Sequence, residues 1–189
     1  MIVLNFDADI NAYANRFTKI LGSTLSKLIN GLILCPVCSG CLKYNCTYRR
    51  NPRALDGRKF NIEIIQVCCG TCKKTHALIP DFLMPYKQYT TETIETAISS
   101  DITMINCFAD NSTIYRWNRQ FKARGIMAVL RIRLIVWELH LRYINANELS
   151  SLSIIQQLSF CLGELKKEKS GTVIGATNVV LTGVDAGFL

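Results

Sequence analysis

Alternating apolar and polar residues indicate two strands in the first half of the chain. Apolar and polar positions alternate over 60–64 (Phe-Asn-Ile-Glu-Ile), the period of two that is typical of a strand with one buried face. A shorter alternation covers 44–48 and leads into the basic segment 49–53. Asp56-Gly57 between the two runs favours a turn. We therefore predict a small antiparallel sheet in this region.

A helical period follows the predicted sheet. The spacing predicts helices at about Thr91–Ser99, Asp101–Ala109 and 111–124, with Asp110 as the N-cap of the third. Gly125 is placed as the residue that stops this third helix. Because only a short gap separates the second helix from the third, the pattern is typical of a helix-turn-helix.

The third predicted helix has two different faces. Ile114, Trp117 and Phe121 are spaced so that they point inward, whereas the remaining positions are mostly polar or basic. Residues 112–133 contain six Lys or Arg and no Asp or Glu. A recognition helix meets the major groove with its first turns. The residues predicted to contact DNA here are Asn111, Ser112, Thr113, Tyr115, Arg116 and Arg119.

The net charge of the chain indicates which class of partner it binds. The 189 residues include 22 Lys and Arg against 14 Asp and Glu, a net charge of +8, which favours a polyanion, duplex DNA before an anionic membrane. No run of about 18 apolar residues is free of charge, and the first residues lack the pattern of a signal peptide. We therefore expect no membrane partner and a cytoplasmic location.

The nine cysteines favour metal binding. An odd number cannot pair completely, and a reducing cytoplasm does not maintain a disulfide framework. Two C-x-x-C pairs, Cys35/Cys38 and Cys69/Cys72, supply four thiolates for one tetrahedral zinc ion. Gly70 is placed at a position of positive φ in the second knuckle. Because four thiolates leave no open coordination position, the predicted zinc is structural.

The other cysteines and the histidines leave alternatives open. Buried free thiols explain Cys107 and Cys161, which lie in apolar helical patterns. Cys41, Cys46 and Cys68 have no assigned role. His76 is either a further ligand or a hydrogen-bonded histidine of a strand.

The predicted fold class is α+β: a small zinc-ribbon sheet followed by a mostly helical helix-turn-helix module. Four segments follow from the pattern: an N-terminal strand and helix for packing (1–34), the ribbon (35–88), the helix-turn-helix (89–125) and the C-terminal helices with a glycine-containing tail (126–189). The last segment predicts helices at about Ile126–Asn145 and Ser150–Lys169, whose apolar stripes form core or a dimer surface. For the tail from Gly171, a hairpin, a strand added to the N-terminal segment and a mobile end stay open.

The stretch from Cys35 to about Phe121 resembles bacterial transposase-related proteins. It carries C-P-x-C, then C-G-T-C-K-K-T-H-A-L-I-P-D-F-L-M-P-Y-K-Q-Y, then S-T-I-Y-R-W. That family, mostly known as a domain of unknown function linked to insertion sequences, has a zinc ribbon followed by a helix-turn-helix. The resemblance implies that the four paired cysteines bind the metal and that Ser112, Thr113, Tyr115 and Arg116 begin the recognition helix. Met104 and Phe108 depart from it, since alanine and glycine are common there.

The sequence predicts a DNA-binding protein and not an enzyme. A transposase of the three-carboxylate type needs well over a hundred residues for its catalytic fold, and the segment after Gly125 is much shorter. We predict a zinc-dependent DNA-binding protein of mobile-element type, whose ribbon anchors phosphates through Arg49, Arg50, Arg53, Lys73 and Lys74. The alternative is an adaptor that binds a separate transposase or another protein subunit. A homodimer also stays open.

Overall fold

The computed structural model describes residues 1–99, 107–165 and 171–182. Over these ranges the fold is α+β, as predicted: a four-stranded sheet is followed by a mostly helical part. The strands are β1 (Ile2–Leu4), β2 (Leu42–Arg50), β3 (Ile62–Cys69) and β4 (Thr75–Pro80). The helices are α1 (Ile10–Asn15), α2 (Phe17–Ile29), α3 (Thr91–Ser99), α4 (Asn111–Glu138), α5 (Ala146–Leu149), α6 (Ile154–Glu164) and α7 (Val173–Leu181).

The sheet has the order β1-β4-β3-β2. β2, β3 and β4 run antiparallel to their neighbours, and β1 joins the edge of β4 in parallel. The two predicted strands are confirmed, but β3 begins at Ile62 and continues to Cys69, and its apolar residues do not alternate strictly with polar ones. The alternation is lost because both faces of β3 are covered: Ile65 and Val67 pack with Leu28 of α2, whereas Ile62 and Ile64 pack with Leu83 and Val179.

The predicted N-terminal helix is two helices. Asp9 caps α1 by accepting from the Ala12 N–H at 2.7 Å, and the chain bends at Arg16 before α2 begins. Tyr13 of α1 is fully buried and its hydroxyl donates to the Glu63 carbonyl of β3 at 3.1 Å. This bend lets both helices pack against the sheet, which is the packing role predicted for residues 1–34.

The helix predicted to end at Gly125 continues without interruption to Glu138, so that expectation is wrong. Gly125 is buried where α4 crosses α6, and a Cβ atom there would stand 2.6 Å from Cγ2 of Ile154. Here glycine permits close helix–helix approach; it does not terminate the helix. The segment boundary at residue 125 falls inside α4, and the helix expected over Ile126–Asn145 is the second half of α4, ending at Glu138.

The helix predicted for Asp101–Ala109 lies mostly outside the described residues, together with Met104. Its last three positions, 107–109, are not helical. α3 and α4 agree with the first and third predicted helices, and the inward stripe is confirmed, since Ile114, Trp117 and Phe121 are each at most 6% exposed.

The three conformations considered for the tail do not describe residues 173–181, which form α7. Thr172 caps this helix by accepting from the Gly175 N–H at 3.0 Å. α7 is buried on most sides, because it packs against α3, α4, α6 and β1. The tail does reach the N-terminal strand, but through the Thr182 hydroxyl, which accepts from the Val3 N–H at 3.1 Å.

α6 begins after the N-cap Ser153 and ends at Glu164, so it covers the central part of the helix predicted for Ser150–Lys169; residues 166–169 lie outside the described ranges. Its apolar side belongs to the helical core with α3, α4 and α7. Among the described helices, none is long and apolar enough to cross a membrane.

Candidate metal centre and basic surface

The four paired cysteines converge at one end of the sheet. Cys35 and Cys38 follow α2, whereas Cys69 ends β3 and Cys72 precedes β4. Their sulfur atoms all lie within 4.8 Å of one another. Cys35 Sγ is 3.6 Å from Cys72 Sγ, and Cys38 Sγ is 3.5 Å from Cys69 Sγ. Four sulfurs at the zinc–thiolate distance would be separated by about 3.8 Å, so the cluster could hold a metal ion of this kind.

The two cysteine loops have the same backbone geometry. The Ser39 N–H donates to the Cys35 carbonyl at 2.8 Å, and the Lys73 N–H donates to the Cys69 carbonyl at 3.1 Å. The positive φ in each loop falls on the residue after the second cysteine, 54° at Ser39 and 61° at Lys73. Gly70 is not among the residues with positive φ, which corrects the expectation for that glycine.

The glycine that the cluster requires is Gly40. A Cβ atom at this position would stand 2.5 Å from the Thr71 hydroxyl oxygen and 3.2 Å from the Cys69 sulfur. A Cβ at Gly70 would meet nothing closer than the Cys41 carbonyl oxygen at 3.7 Å. Gly40 was not predicted from the sequence, although its place directly after the first C-x-x-C-Ser is the available signal. Gly40 lets the two loops approach each other.

The cluster shifts the pKa values of its thiols in both directions. The backbone N–H of Cys72, together with that of Thr71, lowers the pKa of Cys69 to about 6. Burial opposes ionisation of Cys35, but the backbone N–H groups of Val37 and Cys38 outweigh it and lower the pKa of Cys35. The Lys74 N–H favours the Cys72 thiolate, yet burial and the three neighbouring sulfurs raise the pKa of Cys72 to about 12. A bound divalent cation would stabilise the thiolates together.

His76 lies beside the cluster on β4. It is buried, and its Nε2 is 3.3 Å from Cys35 Sγ. Burial lowers the pKa of His76, which favours the neutral ring. A neutral imidazole that donates from Nε2 would hold the Cys35 sulfur in place. Of the two alternatives, His76 is therefore the hydrogen-bonded histidine of a strand, and it is not among the four residues that could hold the ion.

The remaining cysteines lie away from the cluster's four sulfurs. Cys161 is fully buried in the helical core and Cys107 packs against it, as expected for apolar thiols. Cys41 and Cys46 are exposed. Cys68 points its sulfur at backbone carbonyls, 3.7 Å from that of Lys73.

The predicted phosphate-binding residues of the ribbon fall into two groups. Arg49 and Lys74 are exposed. By contrast, Arg50 is half-buried and donates to the carbonyls of Met84 and Lys87, and burial lowers its pKa. The Lys73 ammonium donates to the Gly70 carbonyl at 2.6 Å within its own loop. The fifth residue, Arg53, lines an open cleft of about 530 Å³ together with Arg50, Lys59 and Phe60.

The first turn of α4 is held by its cap. The Asp110 carboxylate accepts from the Thr113 N–H and from the hydroxyls of Ser112 and Thr113 at 2.6–2.8 Å. The Ser112 hydroxyl and then that of Thr113 lower the pKa of Asp110 to about 2. Arg116 donates to the Thr113 hydroxyl at 2.9 Å. The hydroxyls of Ser112 and Thr113 are therefore engaged, whereas the side chains of Asn111, Tyr115, Arg116 and Arg119 are exposed.

Lys87 connects α4 to the end of β2 and the loop that follows it, residues 50–61, which we call the ribbon loop. Its ammonium donates to Oε1 of Gln120 at 2.7 Å, and its carbonyl accepts from Arg50. Burial lowers the pKa of Lys87, and the positive charges of Arg124 and Arg116 lower it further. Lys87 thus lies near Arg50 at the end of β2 and near Arg116 and Arg124 of α4. Arg49 lies on the other face of β2 from Arg50 and is not part of this group. We call the set Arg53, Lys59, Lys87, Arg116, Arg119 and Arg124 the basic surface.

Within the described ranges, the ion pairs are Arg58–Asp56, Arg142–Glu148 and Arg142–Glu164. No member of the basic surface is neutralised by one of them. Next to this surface, Tyr86 is 87% exposed with a φ of 61°, and it lines a second cleft with Tyr48, Arg50 and Lys87. Lys87 and Tyr86 were not predicted from the sequence; the signal for them was the Pro-Tyr-Lys-Gln-Tyr segment at 85–89.

Residues 35–117 match a family model described as a domain of unknown function (DUF6431). The match begins at the first cluster cysteine and ends in α4 at Trp117, close to the stretch that carried the resemblance given above. The description names no activity, so the link to transposase-related proteins stays a prediction. No curated protein and no solved structure matches the chain.

Proposed function

We propose that this protein is a non-catalytic, zinc-stabilised DNA-binding protein of mobile-element type. The observation that carries the proposal is the junction at Lys87. There the Lys87 carbonyl accepts from Arg50 at the end of β2, and the Lys87 ammonium donates to Gln120 of α4 and lies near the positive charges of Arg116 and Arg124. The association with mobile elements rests on the resemblance of residues 35–121 alone.

Zinc is the metal that the donor set favours. Four thiolates with tetrahedral spacing suit Zn²⁺, and they leave no position open for substrate or water. The site joins the loop after α2 to the ends of β3 and β4. Its proposed role is therefore to hold these elements in the arrangement that presents the ribbon loop.

Phosphates would dominate the interaction with DNA. The six cations of the basic surface have no ion-pair partner among the described residues and can neutralise up to six phosphates. Each neutralised phosphate adds about 0.9 to the slope with which log affinity falls against log salt. Six neutralised phosphates would reduce the affinity by about 10³-fold between 50 and 200 mM salt.

Individual roles differ from those first assigned. Arg50 and Lys73 are engaged with backbone carbonyls, so their proposed role is to shape the loops. Ser112 and Thr113 cap α4. Direct contact is proposed for the members of the basic surface and for the exposed side chain of Tyr115. Arg49 lies on the other face of β2, and Lys74 lies at the cluster end of the sheet, so neither is assigned a phosphate contact in this proposal.

The test is a titration of duplex DNA at 50 and 200 mM salt, with zinc measured on the same sample. We expect one zinc per chain and strongly salt-dependent binding. Arg116→Glu with Arg119→Glu should abolish binding, whereas Lys19→Glu with Lys27→Glu makes the same charge change on α2 and should leave most of it. Binding that is insensitive to salt, or equally sensitive to both double variants, would contradict the proposal.

An adaptor is the second candidate, because the second half of α4 exposes large apolar side chains suited to protein contact. If the adaptor is correct, the Arg116/Arg119 double variant keeps its protein partner and its biological activity. If DNA binding is correct, the same variant loses both DNA affinity and activity.

A further inference from the structure

The exposed face of α4 changes character at Ile126. Arg116 and Arg119 belong to its first half. From residue 126 to the end of the helix the same face presents Ile126, Met127, Leu130, Leu134 and Trp137, which are 47–57% exposed. After the helix, Tyr143, which is 71% exposed, lies beside Leu130, Leu134 and Trp137. We call these six residues the apolar stripe.

The spacing within the stripe is that of a helix–helix seam. Met127, Leu130, Leu134 and Trp137 follow one another at intervals of three, four and three. This is the pattern by which one helix packs its side chains into the holes of another. The opposite face of α4 is already buried against α3, α6 and α7, so the stripe is a second, separate packing face.

The stripe also borders a groove that could accept a side chain of a partner. A groove of about 220 Å³ lies between Leu130, Arg133, Leu134 and Trp137 on the helix and Tyr143 and Ile144 beyond it; Arg133 donates to the Ile144 carbonyl. Large aromatic anchors beside such grooves dominate the energetics of protein interfaces. The stripe can therefore provide both a protruding side chain and the pocket that accepts one.

The area fits an interface between two copies. Six large side chains, each about half exposed or more, offer on the order of 700 Å², close to the area of about 800 Å² that one partner contributes to a standard interface. The largest apolar patch of a typical monomer is about 300–600 Å². A two-fold axis would pair the same stripe from both protomers, the commonest symmetry of oligomers.

We propose that the apolar stripe is the interface of a homodimer, in which α4 of one protomer packs against α4 of its partner. This inference does not depend on DNA binding. Burial of the stripe would exclude Trp137 from water, whereas Trp117 is already 3% exposed and would not change.

The test is sedimentation of the nuclease-treated, zinc-loaded chain between about 1 and 100 µM, in low and in high salt. The wild type should be a dimer in both, and Trp137 emission should shift to the blue with concentration. Leu134→Glu should weaken the dimer by at least tenfold, and Leu130→Glu with Leu134→Glu should make it monomeric with an unchanged circular dichroism spectrum. Ile29→Glu, at a position 85% exposed on α2, is the matched control and should dimerise normally.

Three outcomes would overturn the inference. A wild type that is monomeric at the highest concentration has no such interface. A dimer that survives the double substitution uses another surface. A monomeric wild type that binds neutral phosphatidylcholine vesicles, and loses this binding in the double variant, uses the stripe for a lipid surface instead.

Discussion

Gly125 of α4 and Ile154 of α6 are in such close contact that an added methyl group has no room: a Cβ at 125 would stand 2.6 Å from Ile154 Cγ2. The β-branched side chain of Ile154 is stiff, so α4 and α6 would have to separate. This contact sets the distance between α4 and α6, the two longest helices of the helical core formed by α3, α4, α6 and α7.

We expect Gly125→Ala to destabilise the protein by about 1–2 kcal/mol, because overpacking outweighs the gain in helix propensity. Gly22→Ala is the control, since nothing lies within 4 Å of a Cβ at Gly22 in α2. This variant should gain about 0.5–1 kcal/mol. Urea unfolding at constant zinc measures both; equal effects of the two variants would contradict the packing argument.

Loss of one cluster thiol should remove the metal and destabilise the sheet. Cys38→Ser is expected to lower the zinc content from one per chain to near zero and to lower the urea midpoint, as a chelator should in the wild type. Cys46→Ser changes an exposed thiol on β2 and should retain zinc. Equal zinc loss in both variants would show that the cluster is misassigned.

The two glycines of the cysteine loops should respond in opposite ways. The added Cβ of Gly40→Ala would push Thr71 and the Cys69 sulfur away from position 40. We therefore expect weaker zinc retention in a competition with a chelator. Gly70→Ala should retain zinc like the wild type, because the nearest atom to its Cβ is 3.7 Å away. If Gly70→Ala lost zinc more readily than Gly40→Ala, Gly70 and not Gly40 would be the glycine that the cluster requires.

Burial raises the pKa of Cys161 to about 11 from an ordinary value of 9.0. The folded protein therefore retains this proton at pH values where the unfolded chain loses it. The resulting stability is complete below about pH 9 and falls as the pH rises through 11. At pH 8 we expect a disulfide reagent to label Cys41 and Cys46 quickly and Cys161 only on unfolding. Rapid labelling of Cys161 in the folded chain would contradict its burial.

Lys87→Gln tests the junction within the basic surface. It should weaken DNA binding uniformly across sequences and reduce the salt slope by about 1, the expected effect of leaving one phosphate without its cation. Lys27→Gln, on α2, removes the same charge and should leave the slope unchanged. If Lys87→Gln matches the wild type in DNA titrations at several salt concentrations, Lys87 binds no phosphate.

The metal ligands, the buried face of α4 and its N-cap could be predicted from the sequence. The C-x-x-C pairs identified the four cysteines, because two residues between thiols suit a tight loop around one ion. The spacing of Ile114, Trp117 and Phe121 identified the buried face of α4, and Asp110 was recognised as its cap. These signals depend on neighbours within a few positions.

Apart from the positive φ expected at Gly70, the expectations that were wrong concern positions where a distant segment decides the structure. Gly125 would end an isolated helix, but α6 covers it and makes its missing side chain a packing requirement. The glycine-punctuated tail would be a weak helix in water, yet burial among α3, α4, α6 and β1 stabilises α7. Lys87 lies beside α4 only because the fold brings it to Gln120, 33 residues further along the chain.

The sequence by itself determined the cysteine cluster, the strand and helix types of the central region, and the excess of positive charge. Only the tertiary structure decided that α4 is continuous, that the tail is a helix, that Gly40 is the critical glycine, and that Lys87 lies near basic residues of α4. The physical reason is range: capping, periodicity and ligand spacing act within one or two turns of chain. Burial and steric exclusion depend instead on which distant surfaces meet.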